Sequence, residues 1–147
     1  MPDIEDVRSF LAEEHGLAVV STVQRDGRVL SSVTNCGVFD HPVTGDPCVA
    51  LVSAGGAARL AHIRRGSPVT IAVRRGWTWR AITGPADVIG PDDPTAGIDA
   101  DALRLLLRDV FRAAGGAHED FDEYDRVMAE ERRAAVFVTP ERILGNG

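Results

Sequence analysis

Six short runs rich in Val, Ile, Thr and Ala recur along this chain, and turn-forming residues fence almost every one of them. Leu17–Val23, Val29–Phe39, Cys48–Val52, Val69–Val73, Trp77–Ile89 and Ala134–Thr139 read as strands on their β-branched content. Between the first two stands Arg25-Asp26-Gly27-Arg28, where Asp-Gly marks a tight hairpin. Asp40 to Pro47 is turn-forming throughout, Gly66-Ser67-Pro68 closes a helix, and Arg74-Arg75-Gly76 is a turn. Links this short leave no room for the long crossovers that parallel strands need. The expected fold is therefore mainly β within an α+β class: a six-stranded antiparallel split β-barrel with peripheral helices, occupying residues 1–147 as a single domain.

The helices are sparse and separately signalled. Asp3 caps a first one, with Ile4, Val7, Phe10 and Leu11 on one face, and Gly16 ends it. Ala57–Arg65 reads as a short helix with Ser53 as its cap. From Asp99 to Ala114, Leu103, Leu106, Leu107, Val110 and Phe111 share a face. Phe121–Glu131 is a shorter acidic helix. Gly84-Pro85 interrupts the fifth strand and predicts a bulge or an edge there.

Charge is distributed unevenly. Between Pro47 and Ala86 the chain carries six arginines and no carboxylate, so that window is +6 although the whole chain is −6. A field of this kind attracts anions, and the guanidinium fork suits phosphate. Lys is absent, so every cationic phosphate contact must come from Arg or His. The sharpest constellation is Ser53-Ala54-Gly55-Gly56-Ala57-Ala58-Arg59. A hydroxyl, a helix start and Arg59 one turn later can converge on one anion. The plainer reading is an ordinary strand-to-helix turn with Arg59 solvated. Arg64 and Arg80 are candidate helpers, while Arg65, Arg74 and Arg75 read as solvated. Trp77 and Trp79 alternate with Thr78 and Arg80, which places the two indoles on one strand face as core, interface or ligand platform.

Much chemistry is excluded. The two cysteines and four histidines lie at no metal-ligand spacing, so no metal is expected. Hydrolase, zincin and Walker signatures are missing, and no triad or carboxylate dyad stands out, so no catalytic residue is assigned. An enzyme built this way leaves the hard chemistry to a bound cofactor. Overall acidity speaks against nucleic acid, and no apolar run reaches membrane length. An acidic start without an apolar stretch predicts a cytoplasmic protein.

The order of Arg25-Asp26-Gly27-Arg28, Ser32, Ser53, Arg59, Ile63-Arg64-Arg65-Gly66-Ser67-Pro68 and Gly84-Pro85-Ala86 resembles the pyridoxamine 5′-phosphate oxidase-like split β-barrel family. Gly116 to Tyr124, Glu131-Arg132-Arg133 and Thr139-Pro140-Glu141-Arg142-Ile143-Leu144-Gly145 bring it nearest the actinobacterial flavin/deazaflavin oxidoreductases that use coenzyme F-420. That resemblance covers about residues 5–145. It implies a homodimer with the cofactor in a groove between subunits and a small-molecule substrate. It implies phosphate contacts at Ser53 and Arg59, a ring along Ser32, Val33, Thr34 and Asn35, and a polar contact at His62. Trp77, Arg64 and Arg80 complete the candidate cofactor set. The chain departs from the family pattern at Arg59, commonly Lys, at Ala57, often basic, and at Gly55-Gly56, usually bulkier. The leading expectation is F-420-dependent hydride transfer to a small organic acceptor. The alternatives are an FMN-binding oxidase-like protein and a non-catalytic flavin or deazaflavin carrier or sensor.

Overall fold

A computed structural model describes residues 2–147. In chain order the elements are α1 (Ile4–Glu13), β1 (Leu17–Val23), β2 (Val29–Asn35), β3 (Gly37–Asp40), β4 (Pro47–Ser53), α2 (Ala58–Arg64), β5 (Val69–Arg75), β6 (Thr78–Gly84), β7 (Ala86–Ile89), α3 (Ala100–Ala113), α4 (Phe121–Glu130), β8 (Ala134–Val138) and β9 (Arg142–Gly145). The strands form two antiparallel sheets, ordered β2-β1-β5-β6-β9 and β3-β4-β8-β7.

Nine strands stand among the described residues where six were expected, and the sheets are open rather than closed into a barrel. The difference arises at three places where the chain leaves one sheet for the other. Val29–Phe39 is divided at Cys36 into β2 and β3. Trp77–Ile89 is divided at Pro85 into β6 and β7. Beyond β8, Pro140 ends the pairing and Arg142–Gly145 returns as β9 on β6, with Ile82 opposite Ile143. Gly84 is required at the second crossing, because a β-carbon there would overlap the Thr139 carbonyl oxygen. The same crossing is tied by the Thr139 amide donating to the Pro85 carbonyl at 3.0 Å. Gly84-Pro85 is thus a sheet-to-sheet corner rather than a bulge in one strand.

Alternation along the strands sends one face inward. Ala18, Val20 and Thr22 of β1 are buried, as are Val69, Ile71 and Val73 of β5. β8 is buried along its whole length, because it is central in its sheet and covered on both faces. The apolar interior falls into two clusters. One lies between the sheets and takes in Val7, Phe10 and Leu11 of α1. The other lies between the second sheet and α3, around Phe137, Leu106, Leu107 and Val110.

The helices end where the sequence marks them. Asp3 and Asp6 form a reciprocal capping box at α1, Asp99 caps α3, and Asp120 caps α4. α2 departs from expectation: it starts after Ala57, with no side-chain cap. Ser53 lies too far upstream. It ends β4, is buried, and its hydroxyl donates to the Ala54 carbonyl at 3.3 Å.

Candidate functional site

β2 is an edge strand, and its two faces serve different ends. Ser32 pairs with Val20 and Thr34 with Ala18, so both hydroxyls lie on the inward face of the sheet. At the edge that face is only half covered, which leaves polar side chains able to meet a ligand. Arg59 reaches across from α2 and donates from Nη2 to Ser32 Oγ at 2.7 Å. Among the described residues it forms no ion pair with a carboxylate. Burial holds its guanidinium below the ordinary arginine range. The neighbouring Cys36 thiol opposes that shift and the positive charge of Arg133 adds to it. Cys36 itself is pushed up to about 12 by burial, which keeps it an inert thiol.

A cleft of about 450 Å³ begins at Thr34 and Asn35 and runs between the second sheet and α3–α4. Val52, Val127 and Met128 supply apolar walls, and Phe111, Tyr124 and His118 an aromatic one. Those rings belong to one cluster with Phe121, packed 4.8–6.4 Å apart between centroids. Tyr124 donates its hydroxyl to the Leu107 carbonyl at 3.1 Å, and burial pushes the phenol up to about 12. His118 Nδ1 accepts the Asp120 amide at 3.0 Å, so the neutral ring carries its proton on Nε2. A donor, rather than a free lone pair, is the group His118 can offer the cleft. Glu123, Glu131 and Arg133 supply its charges.

The predicted set is therefore only partly assembled. Ser32 and Thr34 share the inward face of β2, with Arg59 bonded to Ser32 and with Thr34 and Asn35 lining the cleft; Val33 and, by register, Asn35 alternate to the outward face, Asn35 at the strand end. Ser53 does not join Arg59 in a clasp, since its hydroxyl is turned to the adjacent carbonyl. Gly55 serves the packing of the loop. Its missing β-carbon leaves room for the Arg132 carbonyl oxygen, and its amide donates to Glu131 O at 3.1 Å. That approach explains why bulkier residues are absent there.

Four other candidates lie elsewhere. His62 is buried, with Nδ1 2.8 Å from the Thr22 hydroxyl, and holds α2 against β1. Arg64 is engaged by Asp93 through two bonds of 2.9 and 2.5 Å, which raise its affinity for the proton. Arg80 donates from Nη1 to the Trp79 and Asn146 carbonyls and lies over the Phe10 ring; it shares the inward face of the sheet with Ser32 but stands on β6, three strands away and beside α1. Trp77 occupies the β5–β6 turn, 91% exposed, so it shares no strand face with Trp79. Arg75 is not merely solvated either, since it pairs with Glu13 at 2.7 Å and covers Phe10. Among the described residues no group of three His, Cys, Asp or Glu is placed to hold a metal ion. No helix among them is long and apolar enough to cross a membrane.

Arg133, Tyr124 and His118 line the candidate cleft and are not among the residues expected from the sequence. They lie 74, 65 and 59 positions after Arg59 in sequence, and only the packing of α4 over the end of β4 brings their segment to β2.

No family model matches the chain. Solved structures do. A conserved hypothetical protein, Rv2991, from Mycobacterium tuberculosis superposes with a TM-score of 0.69 at 15% identity, over 99% of this chain and 84% of that one. A pyridoxamine 5′-phosphate oxidase-related, FMN-binding protein from Nostoc punctiforme gives 0.63 at 13%, over 97% and 80%. HutZ, a heme storage protein from Vibrio cholerae, gives 0.58 at 13%, over 98% and 94%. At these identities the likeness establishes the fold alone, that of the pyridoxamine 5′-phosphate oxidase-like proteins.

Proposed function

We propose that this chain is an oxidoreductase that holds coenzyme F-420 along the inner face of β2 and serves hydride transfer to a small organic acceptor. The carrying observation is Arg59: a half-buried guanidinium with no carboxylate partner among the described residues, bonded to the Ser32 hydroxyl, which stands two residues along the same strand face from Thr34, a residue of the cleft wall. A cation so placed is poised for an anion brought by a ligand. The residues present fit such a group. The cleft volume falls in the usual range of roughly 300–1,000 Å³ for small-ligand sites, with apolar walls and few polar groups.

When bound, the deazaflavin ring supplies the hydride chemistry. Arg59 and Ser32 bind the anionic tail, while Thr34 and Asn35 orient the ring edge. Asn35 spends its amide on the His15 carbonyl at 2.9 Å, which leaves its oxygen as the acceptor. Val52, Phe111, Val127 and Met128 exclude water, and the His118 Nε2–H donates to negative charge developing on the acceptor. FMN is the second reading, favoured by the FMN-binding protein among the similar structures. Heme is disfavoured at His118, because a ring whose Nδ1 accepts an amide has no lone pair on Nε2 for iron.

We also propose a homodimer. The outward face of β1 and β2 exposes Leu17, Val19, Val23, Val29 and Val33, continuous with a groove of about 600 Å³ that runs to Ala72, Trp79 and Arg74. A patch of this kind on a folded domain is an interaction surface. Sedimentation at micromolar concentration tests it: a monomer there refutes the dimer. Titration of the protein with F-420 and with FMN, followed by visible absorbance, tests the cofactor. A shifted F-420 spectrum with saturation is expected. Retention of FMN without any F-420 binding overturns the leading reading in favour of the second.

A further inference from the structure

Two arginines on α3 compete for one carboxylate. Arg104 and Arg108 stand four residues apart on one face of the helix, where like charges repel. Asp125 of α4 meets both. Arg108 takes it with both prongs of its fork, Nε bonding Oδ1 at 2.9 Å and Nη2 bonding Oδ2. Arg104 is left with one bond of 3.4 Å from Nη1 to Asp125 and an approach of 3.8 Å to Asp101, whose side chain is 89% exposed. Contacts that loose and exposed contribute little. The Nη2 group of Arg104 bonds nothing among the described residues.

Arg104 stands in the wall of a second cavity, of about 390 Å³. On α4, Tyr124, Val127 and Glu131 face the cleft, while Asp125, Ala129 and Arg132 form the neighbouring stripe and face this cavity. Met128 and Arg133 line both. The floor is apolar: Leu107 belongs to the core cluster under α3, and Leu103 and Met128 pack against it. The other two cations of the wall are engaged, Arg132 by Asp92 and Arg133 by Glu131. What the cavity offers a ligand is an apolar floor and one guanidinium without a full partner.

We propose that this cavity binds a small amphipathic carboxylate, its head on Arg104 and its apolar body on Leu103, Leu107 and Met128. The planar carboxylate matches the guanidinium fork and supplies the second anion that the Arg104–Arg108 pair lacks. One unmatched positive charge, with Asp101 and Asp125 beside it, suits a monoanion and disfavours a multiply charged phosphate. The volume lies within the usual range of roughly 300–1,000 Å³ for small-ligand sites. The site stands apart from the cofactor cleft and does not depend on what that cleft holds.

The test titrates the full chain with hexanoate, octanoate and decanoate below their micelle-forming concentrations, read by calorimetry. Octanoate is expected to bind, and affinity to rise by roughly fourfold for each added methylene. Octylamine, with the same body and the opposite charge, should not bind. Arg104→Gln should weaken octanoate binding by about tenfold or more. Ala129→Leu, an exposed helix position at the cavity wall, should block it by filling the space. NMR contacts from the octanoate chain should fall on the methyls of Leu103 and Leu107. No octanoate binding, an affinity independent of chain length, equal binding by octylamine, or wild-type binding by Arg104→Gln would each overturn the proposal. So would contacts to Val52 and Val127, which place the ligand in the cleft instead. Should Arg104→Gln melt earlier than wild type, Ala129→Leu decides, and undiminished binding there overturns the site.

Discussion

His62 divides the two ways of reading α2, and Thr22→Val decides between them. The Thr22 side chain is 2% exposed and His62 is 7% exposed, with hydroxyl and imidazole 2.8 Å apart. Valine keeps the shape of threonine and removes the one partner that the ring nitrogen has. A buried acceptor or donor left unpaired costs about 1–3 kcal/mol. The methyl that replaces the hydroxyl returns a part of that, up to about 0.8 kcal/mol for a buried carbon. A net loss of roughly 1–2 kcal/mol remains. With an unfolding entropy of about 2.1 cal/mol/K per residue, a chain of this length loses roughly 3–7 °C in melting temperature. Circular dichroism melts at pH 7.5 measure it. The double variant Thr22→Val with His62→Leu removes both polar partners and should recover most of the loss. Cofactor affinity should be unchanged in the single variant. A melting temperature equal to wild type, or a fall in affinity with no fall in stability, would show that the ring serves the cleft and that its bond to Thr22 is incidental.

Two further outcomes follow from the packing. Gly84→Ala drives a β-carbon into the Thr139 carbonyl at the sheet-to-sheet corner, where backbone must yield. A loss of about 3 kcal/mol or more is expected, near the upper end for overpacking, and chemical denaturation reads it. Asp125 is held below the usual carboxylate range by its hydrogen bonds from Arg108, with Arg104 adding to the effect. A depressed folded value means the contribution is complete above about pH 4, the ordinary aspartate value, and fades as pH falls further. Asp125→Asn should therefore flatten the acid limb of the stability curve below about pH 4 while lowering the plateau at neutral pH. An acid limb as steep as that of wild type would refute the linkage.

Local signals on the chain reported local structure well. Asp3, Asp99 and Asp120 cap their helices because an aspartate beside an apolar-periodic run offers its oxygens to free amides, a matter of three residues. Asp26-Gly27 likewise makes the β1–β2 turn, with Val23 opposite Val29. What stayed hidden depends on contacts made at long range. A continuous run such as Val29–Phe39 carries no mark at Cys36 that it will change sheets, since both halves are equally β-prone. β9 was lost because four residues after a proline read as a tail until β6 offers an edge to pair with. At the candidate site, Ser32 and Arg59, singled out by their order along the chain, are joined by a hydrogen bond. His62 and Arg64 were misread because the same polar residue types serve equally well as a core hydrogen bond and as a surface ion pair. Arg133 is brought to the cleft by the pairing of β8 with β4, where Ala134 stands opposite Ser53.

The three crossings at Cys36, Pro85 and Pro140 bear on how the protein breathes. β2 and β3, β6 and β7, and β8 and β9 are each one length of chain divided between the sheets. Only β1, β4 and β5 are not joined end to end across a crossing. Opening either sheet must therefore pull on three strands of the other, so neither is free to act as a separate unit of local unfolding. Amide exchange in the two sheets should report one shared free energy, with protection falling away only in the helices and turns. A ligand gripped at the β2 edge would then slow exchange in the second sheet as well, through connectivity rather than contact.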